Sequence, residues 1–393
     1  MRDDVITGGI EEPTLDQKVD FLSRSSAYGP SVTGALSRET HMSWVFLAGD
    51  RVYKLKKPVR FPYLDFSTLR RREAACRAEL RLNRRLASDV YLDVVPLTAT
   101  PHGLAIGGDA KVVDWLVVMR RLDEAQTLEH AILEDRLAPW QLDRLIATLV
   151  QFYRRAEPVF LSPAVHLRDW RKSLSDNRRV LLDPRLGLPS GLVRRIASSQ
   201  AKFLSEQPRA LAKRVCERGI IDGHGDLRPE HIWLGDPVRI IDCLEFNPRL
   251  RAVDPFDEIA FLSLECDRLG AGWAGKYIAR RVMRGLRDGL SEELFLFYRG
   301  HRAMLRARLA IAHLLEPNPR TPDKWPRLAR AYLRIAAADA IRLERSLKRQ
   351  ANRPAQSPPP ASGSLRQQAA PREARRPCRA RPGWQAGTAA RRP

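Results

Sequence analysis

His224-Gly225-Asp226-Leu227-Arg228-Pro229-Glu230-His231-Ile232-Trp233-Leu234-Gly235-Asp236-Pro237-Val238-Arg239-Ile240-Ile241-Asp242 is the stretch that decides how this chain is read. Gly235-Asp236-Pro237 is a turn signal between two short apolar runs, so the segment reads as a small hairpin. In an antiparallel pair about that turn, His231 falls opposite Ile240 or Ile241, and Asp242 emerges beside the loop that holds Asp226. One carboxylate on a loop and a second at the end of a returning strand therefore converge. A hydroxyl-orienting base next to a metal-holding acid is what phosphoryl transfer requires.

His-x-Asp-Leu followed by a metal ligand five residues after the Asp is similar to the catalytic loop of protein kinase-like enzymes. The Ile-Asp ending, without the Phe-Gly of protein kinases, resembles the aminoglycoside and choline kinase branch. With Ile241-Asp242-Cys243-Leu244-Glu245-Phe246 added, the pattern resembles the bacterial aminoglycoside phosphotransferase family proteins that are often fused to a P-loop ATPase. No Gly-x-x-x-x-Gly-Lys-Ser/Thr occurs, so the ATPase half is not expected. The resemblance spans about residues 20–345. It implies an α+β, bilobal protein kinase-like fold: a small β-rich N-lobe over 1–120, and a mainly helical C-lobe over 121–350 with the catalytic hairpin and acceptor site. It also implies ATP and Mg²⁺. Carried over by position, Asp226 is the catalytic base or hydroxyl-orienting residue, His224 buttresses its loop, and Asp242 holds Mg²⁺. His231 stands where these kinases usually carry Asn as the second metal ligand, and imidazole suits hard Mg²⁺ less well than a carboxamide oxygen.

Working outward, Ser43–Ala48 and Arg51–Lys56 flank Gly49-Asp50, a two-residue hairpin signal. A helix is expected from Ser67 to about Ala87, and strands at 93–98, 104–107 and 115–119. Val52, Lys54 and Lys56 share one strand face. Val52-Tyr53-Lys54 resembles the kinase strand whose Lys grips the α/β-phosphates, with Glu79 preferred over Glu73 as its partner and Lys54 preferred over Lys56. Trp115 to Leu122 resembles the hinge strand, with Arg120 and Leu122 offering backbone groups to adenine. No Gly-x-Gly-x-x-Gly precedes Lys54, so phosphate cover is expected from the Ser37 to Ser43 loop, through Thr40 and Ser43.

Helical patterns occupy 139–156, 190–217, 254–269, 273–289, 292–315 and 323–349. Asp254-Pro255-Phe256-Asp257 has the order of an N-cap, a Pro at the first helical position and an acid at the third. Tyr298, Arg302 and Arg306 recur every four residues on one helix face. That face reads either as an acceptor-binding wall or as a solvated arginine stripe.

Among 393 residues the formal net charge is +22, and the basic residues comprise 57 Arg and only 11 Lys. Residues 351–393 hold nine Arg against one Glu, eight Pro and one large aliphatic residue, Leu365. Such a segment cannot bury enough apolar surface to offset its ordering entropy, and a disordered tail is expected. The remaining charge favours anionic ligands but is too diffuse to specify nucleic acid, which would be reached only through the basic tail. No apolar run approaches the roughly 20 residues of a membrane span. Five scattered cysteines without Cys-x-x-Cys argue against a disulfide or zinc framework and suit a reducing cytoplasm. The expected function is ATP- and Mg²⁺-dependent phosphoryl transfer to a hydroxyl of a small molecule. A nucleotide-binding pseudokinase is its rival, and a basic nucleic-acid-binding protein the lesser one.

Overall fold

The Gly49-Asp50 turn folds strand β2 (Ser43–Ala48) back on β3 (Arg51–Lys56), with Val45 opposite Lys54 and Leu47 opposite Val52. Gly49 has φ +59°, the left-handed conformation that such a tight turn demands. The computed structural model describes residues 12–316, 319 and 321–352. Nearly all of the tail expected at 351–393 lies outside these. The chain divides into two compact units. Among the described residues, one is built from those up to Glu157 with Ile221–Leu290, the other from Pro158–Ile220 and those from Ser291 onward.

In the first unit, β1 (Ala35–Glu39), β2, β3, β6 (Tyr91–Thr100), β7 (Gly103–Ile106) and β8 (Lys111–Arg120) form one antiparallel sheet in the order β1-β2-β3-β8-β6-β7. Strands β4 (Arg60–Phe61) and β5 (Leu64–Asp65) make a separate small hairpin. Alternation along the strands sorts the side chains onto two faces. Phe46, Leu55, Leu97 and Leu116 pack with Leu22 of α1 (Leu15–Leu22) on one side. Val117 and Met119 pack with Cys76 of α2 (Leu69–Asn83) on the other. Because Lys54 pairs with Val117 and Val52 with Met119, the lysine face of β3 looks toward α2. Each of the buried large side chains contributes roughly 1.5–3 kcal/mol, and this core fixes where that face points.

The rest of this unit is mainly helical: α3 (Leu128–Leu133), α4 (Pro139–Arg155), α8 (Pro248–Arg251), α9 (Pro255–Arg268) and α10 (Gly272–Leu286). Short strands β9 (Ile221–Asp222) and β12 (Ala252–Val253) pair with each other, as do β10 (Ile232–Trp233) and β11 (Arg239–Ile240). Asp254 caps α9 by accepting the Phe256 N–H, with Pro255 at the first helical position, as the sequence order implied.

The second unit contains α5 (Pro163–Leu181), α6 (Ser190–Glu206), α7 (Pro208–Cys216), α11 (Glu292–Ala312) and α12 (Lys324–Ala351). The single helix expected over 190–217 is two, because Pro208 has no N–H to continue α6 and instead opens α7. Helix α5 was not expected. Its buried residues are His166, Trp170, Asn177 and Leu181, so its inward face carries no apolar stripe. Among the described residues, no helix is long and apolar enough to cross a membrane.

Candidate active site

The loop from Gly223 to Asp226 is tightly specified. Gly225 has φ +90°, and a Cβ there would lie 2.9 Å from Leu244 Cδ1. Its N–H donates to Glu258 Oε1, and Glu258 Oε2 accepts from Tyr153 Oη at 3.1 Å. A carboxylate from the first turn of α9 thus holds the loop backbone. His224 is 1% exposed; its Nε2–H donates to the Ile241 carbonyl at 2.9 Å, while Nδ1 accepts the Asp226 N–H at 3.3 Å. Burial first, then neighbouring His231, lowers its pKa from 6.5 to about 4. The imidazole is therefore neutral near pH 7 and ties the Asp226 loop to the strand leading into Asp242.

A histidine held neutral makes stability depend on pH. As pH falls from 6.5 toward 4, the unfolded chain takes up a proton on His224 that the folded chain does not. Stability present above pH 6.5 is therefore lost across that window, at up to about 1.4 kcal/mol per pH unit from this group. Urea unfolding midpoints measured from pH 7 to pH 4 should show this slope, and His224→Gln should flatten it by about one proton's worth. An unchanged slope in that variant would mean that His224 is not held neutral.

Asp226 follows directly, with its side chain 22% exposed. Arg228 Nε and Nη2 both approach its Oδ2, at 3.0 and 2.9 Å. The same guanidinium reaches Glu230 Oε1 at 2.5 Å and His231 Nε2 at 3.0 Å. The Ile241 N–H donates to the His231 carbonyl, which settles the hairpin register with His231 opposite Ile241. His231 Nδ1–H donates to the Asp226 carbonyl at 2.9 Å, and its Nε2 stands 3.6 Å from Asp242 Oδ2. One imidazole thus separates the two carboxylates.

Asp242 sits at φ +63°, its N–H donating to Tyr91 Oη at 3.2 Å. The next residue, Cys243, donates its N–H to Asn83 Oδ1 at 2.9 Å, so the end of α2 holds this turn. Lys54 Nζ lies 2.9 Å from Asp242 Oδ1 and 2.8 Å from Glu79 Oε1. Lys56 Nζ lies 2.6 Å from Glu79 Oε2 and 2.5 Å from Glu245 Oε1. Two lysines on one strand face thus share one glutamate, and the pairs differ in exposure. Lys54 keeps 16% of its side chain open and Asp242 42%, whereas Lys56, Glu79 and Glu245 are almost wholly enclosed. Burial opposes the charge on Asp242, but Lys54 and then His231 outweigh it and hold the carboxyl below the usual range. Burial likewise opposes Lys54, yet Asp242 and Glu79 raise its pKa well above normal. Glu245 is pushed up by burial, with Lys56 as its main compensation.

Arg120 closes β8 and spends its N–H on the Val90 carbonyl, so only its carbonyl can face a base. Leu122 borders an open cleft of about 460 Å³ lined also by Arg38, Asp50, Arg121, Asp123 and Glu124. The expected Ser37–Ser43 loop is largely strand: β1 runs to Glu39 and pairs with β2, leaving a short turn. It was missed because Leu36 is 62% exposed and the strand has no apolar alternation. Thr40 Oγ1 donates to the Ser43 carbonyl at 2.8 Å and accepts the Ser43 N–H at 3.0 Å, and Ser43 is buried. Both residues are engaged with each other across this turn.

Tyr298, Arg302 and Arg306 lie on α11 of the second unit. Tyr298 is fully buried and stacks on Trp170 with ring centroids 5.5 Å apart; Arg302 is buried as well. Arg306 Nε donates to Tyr332 Oη at 3.3 Å. A solvated stripe on this face supposes exposure, which Tyr298 and Arg302 do not have. The unit instead packs it inward, with the guanidinium stem and the rings supplying apolar area.

The donor set at Asp242 suits a divalent cation in one way only. Among the described residues, no group of three His, Cys, Asp or Glu is assembled that could hold a metal. A single ionised and partly open carboxylate matches Mg²⁺, which is normally held by one or two carboxylates, phosphate oxygens and water.

No family model matches the chain. Uncharacterized proteins of Mycobacterium tuberculosis and Mycobacterium bovis are 32% identical to it over 312 residues, covering 78% of this chain and 57% of each relative. The chain thus spans little more than half the length of the curated relatives it matches. Among solved structures, it is similar to a thermostable mutant of an aminoglycoside phosphotransferase in its apo form. The TM-score there is 0.50 at 14% identity, covering 82% of this chain and 98% of the other. A choline/ethanolamine kinase family protein from Mesorhizobium loti gives 0.44 at 17%, covering 83% and 98%.

Proposed function

We propose that this chain, which has the protein kinase-like fold of the aminoglycoside phosphotransferases, moves the γ-phosphoryl group of ATP to a hydroxyl of a small molecule. The observation that carries this reading is the Glu79–Lys54–Asp242 chain of ion pairs beside the Asp226 loop. A structural ion pair needs no partly open third member; a lysine bridging a buried glutamate to an open aspartate is placed to meet phosphate oxygens.

In this reading Asp226 accepts a hydrogen bond from the acceptor hydroxyl and orients it. A bond forms between that oxygen and the γ-phosphorus. The bond from the γ-phosphorus to the β,γ-bridging oxygen breaks, and its electron pair leaves with ADP. The hydroxyl proton passes to the Asp226 carboxylate and then to solvent. Lys54 offsets phosphate charge, and Asp242 would hold Mg²⁺, which supplies further neutralisation of the phosphates when bound. His224 and Glu258 keep the loop in place and touch neither reactant. The cleft at Leu122 lies beside the segment assigned to adenine.

The acceptor is best sought without presuming an aminoglycoside. Aminoglycosides are polycations, and likeness of fold does not by itself name an acceptor. A metabolite pool incubated with γ-³²P-ATP and the protein should yield a labelled product that is absent with Asp226→Ala. Labelled product from both proteins would remove Asp226 from the chemistry. Nucleotide binding without label in any product or in phosphate would favour the pseudokinase.

A further inference from the structure

The Arg228 guanidinium is a fixed cation at the centre of the catalytic loop, and the chemistry above leaves it without a role. Its Nε and Nη2 share Asp226 Oδ2, Nη1 holds Glu230 Oε1, and Nη2 meets His231 Nε2. His231 has committed its Nδ1–H to the Asp226 carbonyl. Its Nε2 therefore carries the lone pair, and that lone pair is taken by an N–H of Arg228 rather than left for a metal. The same Nε2 is 3.6 Å from Asp242 Oδ2.

Kinases of this general plan use two divalent ions, one on the carboxylate that follows the loop and one on an amide within it. Here the loop position carries an imidazole whose nitrogen is a poor Mg²⁺ ligand and is already bonded to a cation. A second divalent ion touching residue 231 would have to displace a guanidinium held by two carboxylates, or sit against it with like charge. Arginine keeps its charge at any working pH and matches carboxylate oxygens with a rigid fork.

We infer that Arg228 replaces the second divalent cation: the site takes one ion, at Asp242, and the guanidinium supplies the other positive charge while holding Asp226 in line. This rests on the phosphotransferase reading given above. Arg228 is then a positioning residue, and metal stoichiometry is a readout that a purely structural role would leave unmoved.

The test is a Mn²⁺ titration followed by electron paramagnetic resonance, with the full chain and a non-hydrolysable ATP analogue. The wild type should bind one Mn²⁺ per chain together with the analogue. Arg228→Lys, which keeps the charge, should also bind one. Arg228→Ala combined with His231→Asn, which removes the cation and restores an amide oxygen, should bind two. Two Mn²⁺ in the wild type would overturn the inference while leaving phosphoryl transfer standing. So would a double variant that binds the analogue but still takes only one ion. Analogue binding with no Mn²⁺ uptake by the wild type would instead strike the phosphotransferase reading itself, and the inference with it.

Discussion

Asp226→Asn is expected to lower γ-phosphoryl transfer roughly 10²–10⁴-fold, the usual worth of a positioned base, while nucleotide affinity stays within about twofold of wild type. The separation follows from geometry. Lys54 and Asp242 are joined to each other and to α2, whereas Asp226 is held by Arg228, by the His231 ring and by its own loop. Asn keeps an oxygen for Arg228 and a backbone N–H for His224, so the loop survives and only the basic carboxylate is lost. Steady-state transfer and equilibrium binding of an ATP analogue, measured on the same preparation, check this. A parallel loss of both would mean that Asp226 serves the nucleotide rather than the acceptor.

Lys56→Ala is expected to cost about 3–5 kcal/mol of stability, lowering the melting temperature by roughly 10 °C. From the sequence, Lys56 stood second to Lys54 as the phosphate lysine. In the folded chain it is a buried counter-ion instead, because its ammonium lies between Glu79 and Glu245, both about as enclosed as Lys56 itself. Removing it leaves Glu245 without its lysine and Glu79 with only Lys54, which is shared with Asp242. Replacing the pair by Lys56→Met with Glu245→Gln should recover much of the loss, because the uncompensated charge goes with it. A thermal denaturation series on the three proteins decides it. A melting temperature unmoved by Lys56→Ala would mean that these carboxylates are solvated.

The hairpin over 224–242 was legible in the sequence because its turn and two acids lie within one short stretch, so local geometry brings them together. Strands β2 and β3 were legible from the turn signal at Gly49-Asp50. Arg228 and Glu245 were in view but without roles, since their partners are fixed by tertiary contacts of the loop and of β3. Glu258 escaped notice because an acid in the first turn of a helix is already accounted for by the helix dipole. Its brace on Gly225 depends on how α9 meets the loop. Helix α5 was invisible for a plainer reason: only two of the four residues it buries, Trp170 and Leu181, are apolar.

If Asp242 and Lys54 form a nucleotide-phosphate site that works with a divalent ion, nucleotide affinity must depend on that ion through Asp242. Titration calorimetry of ATP into the wild type and Asp242→Asn, each with and without Mg²⁺, reads this dependence. The wild type should bind ATP about tenfold or more tightly with Mg²⁺ than without, and Asp242→Asn should lose that difference. Wild-type affinity indifferent to Mg²⁺ would show that Asp242 and Lys54 are not such a site.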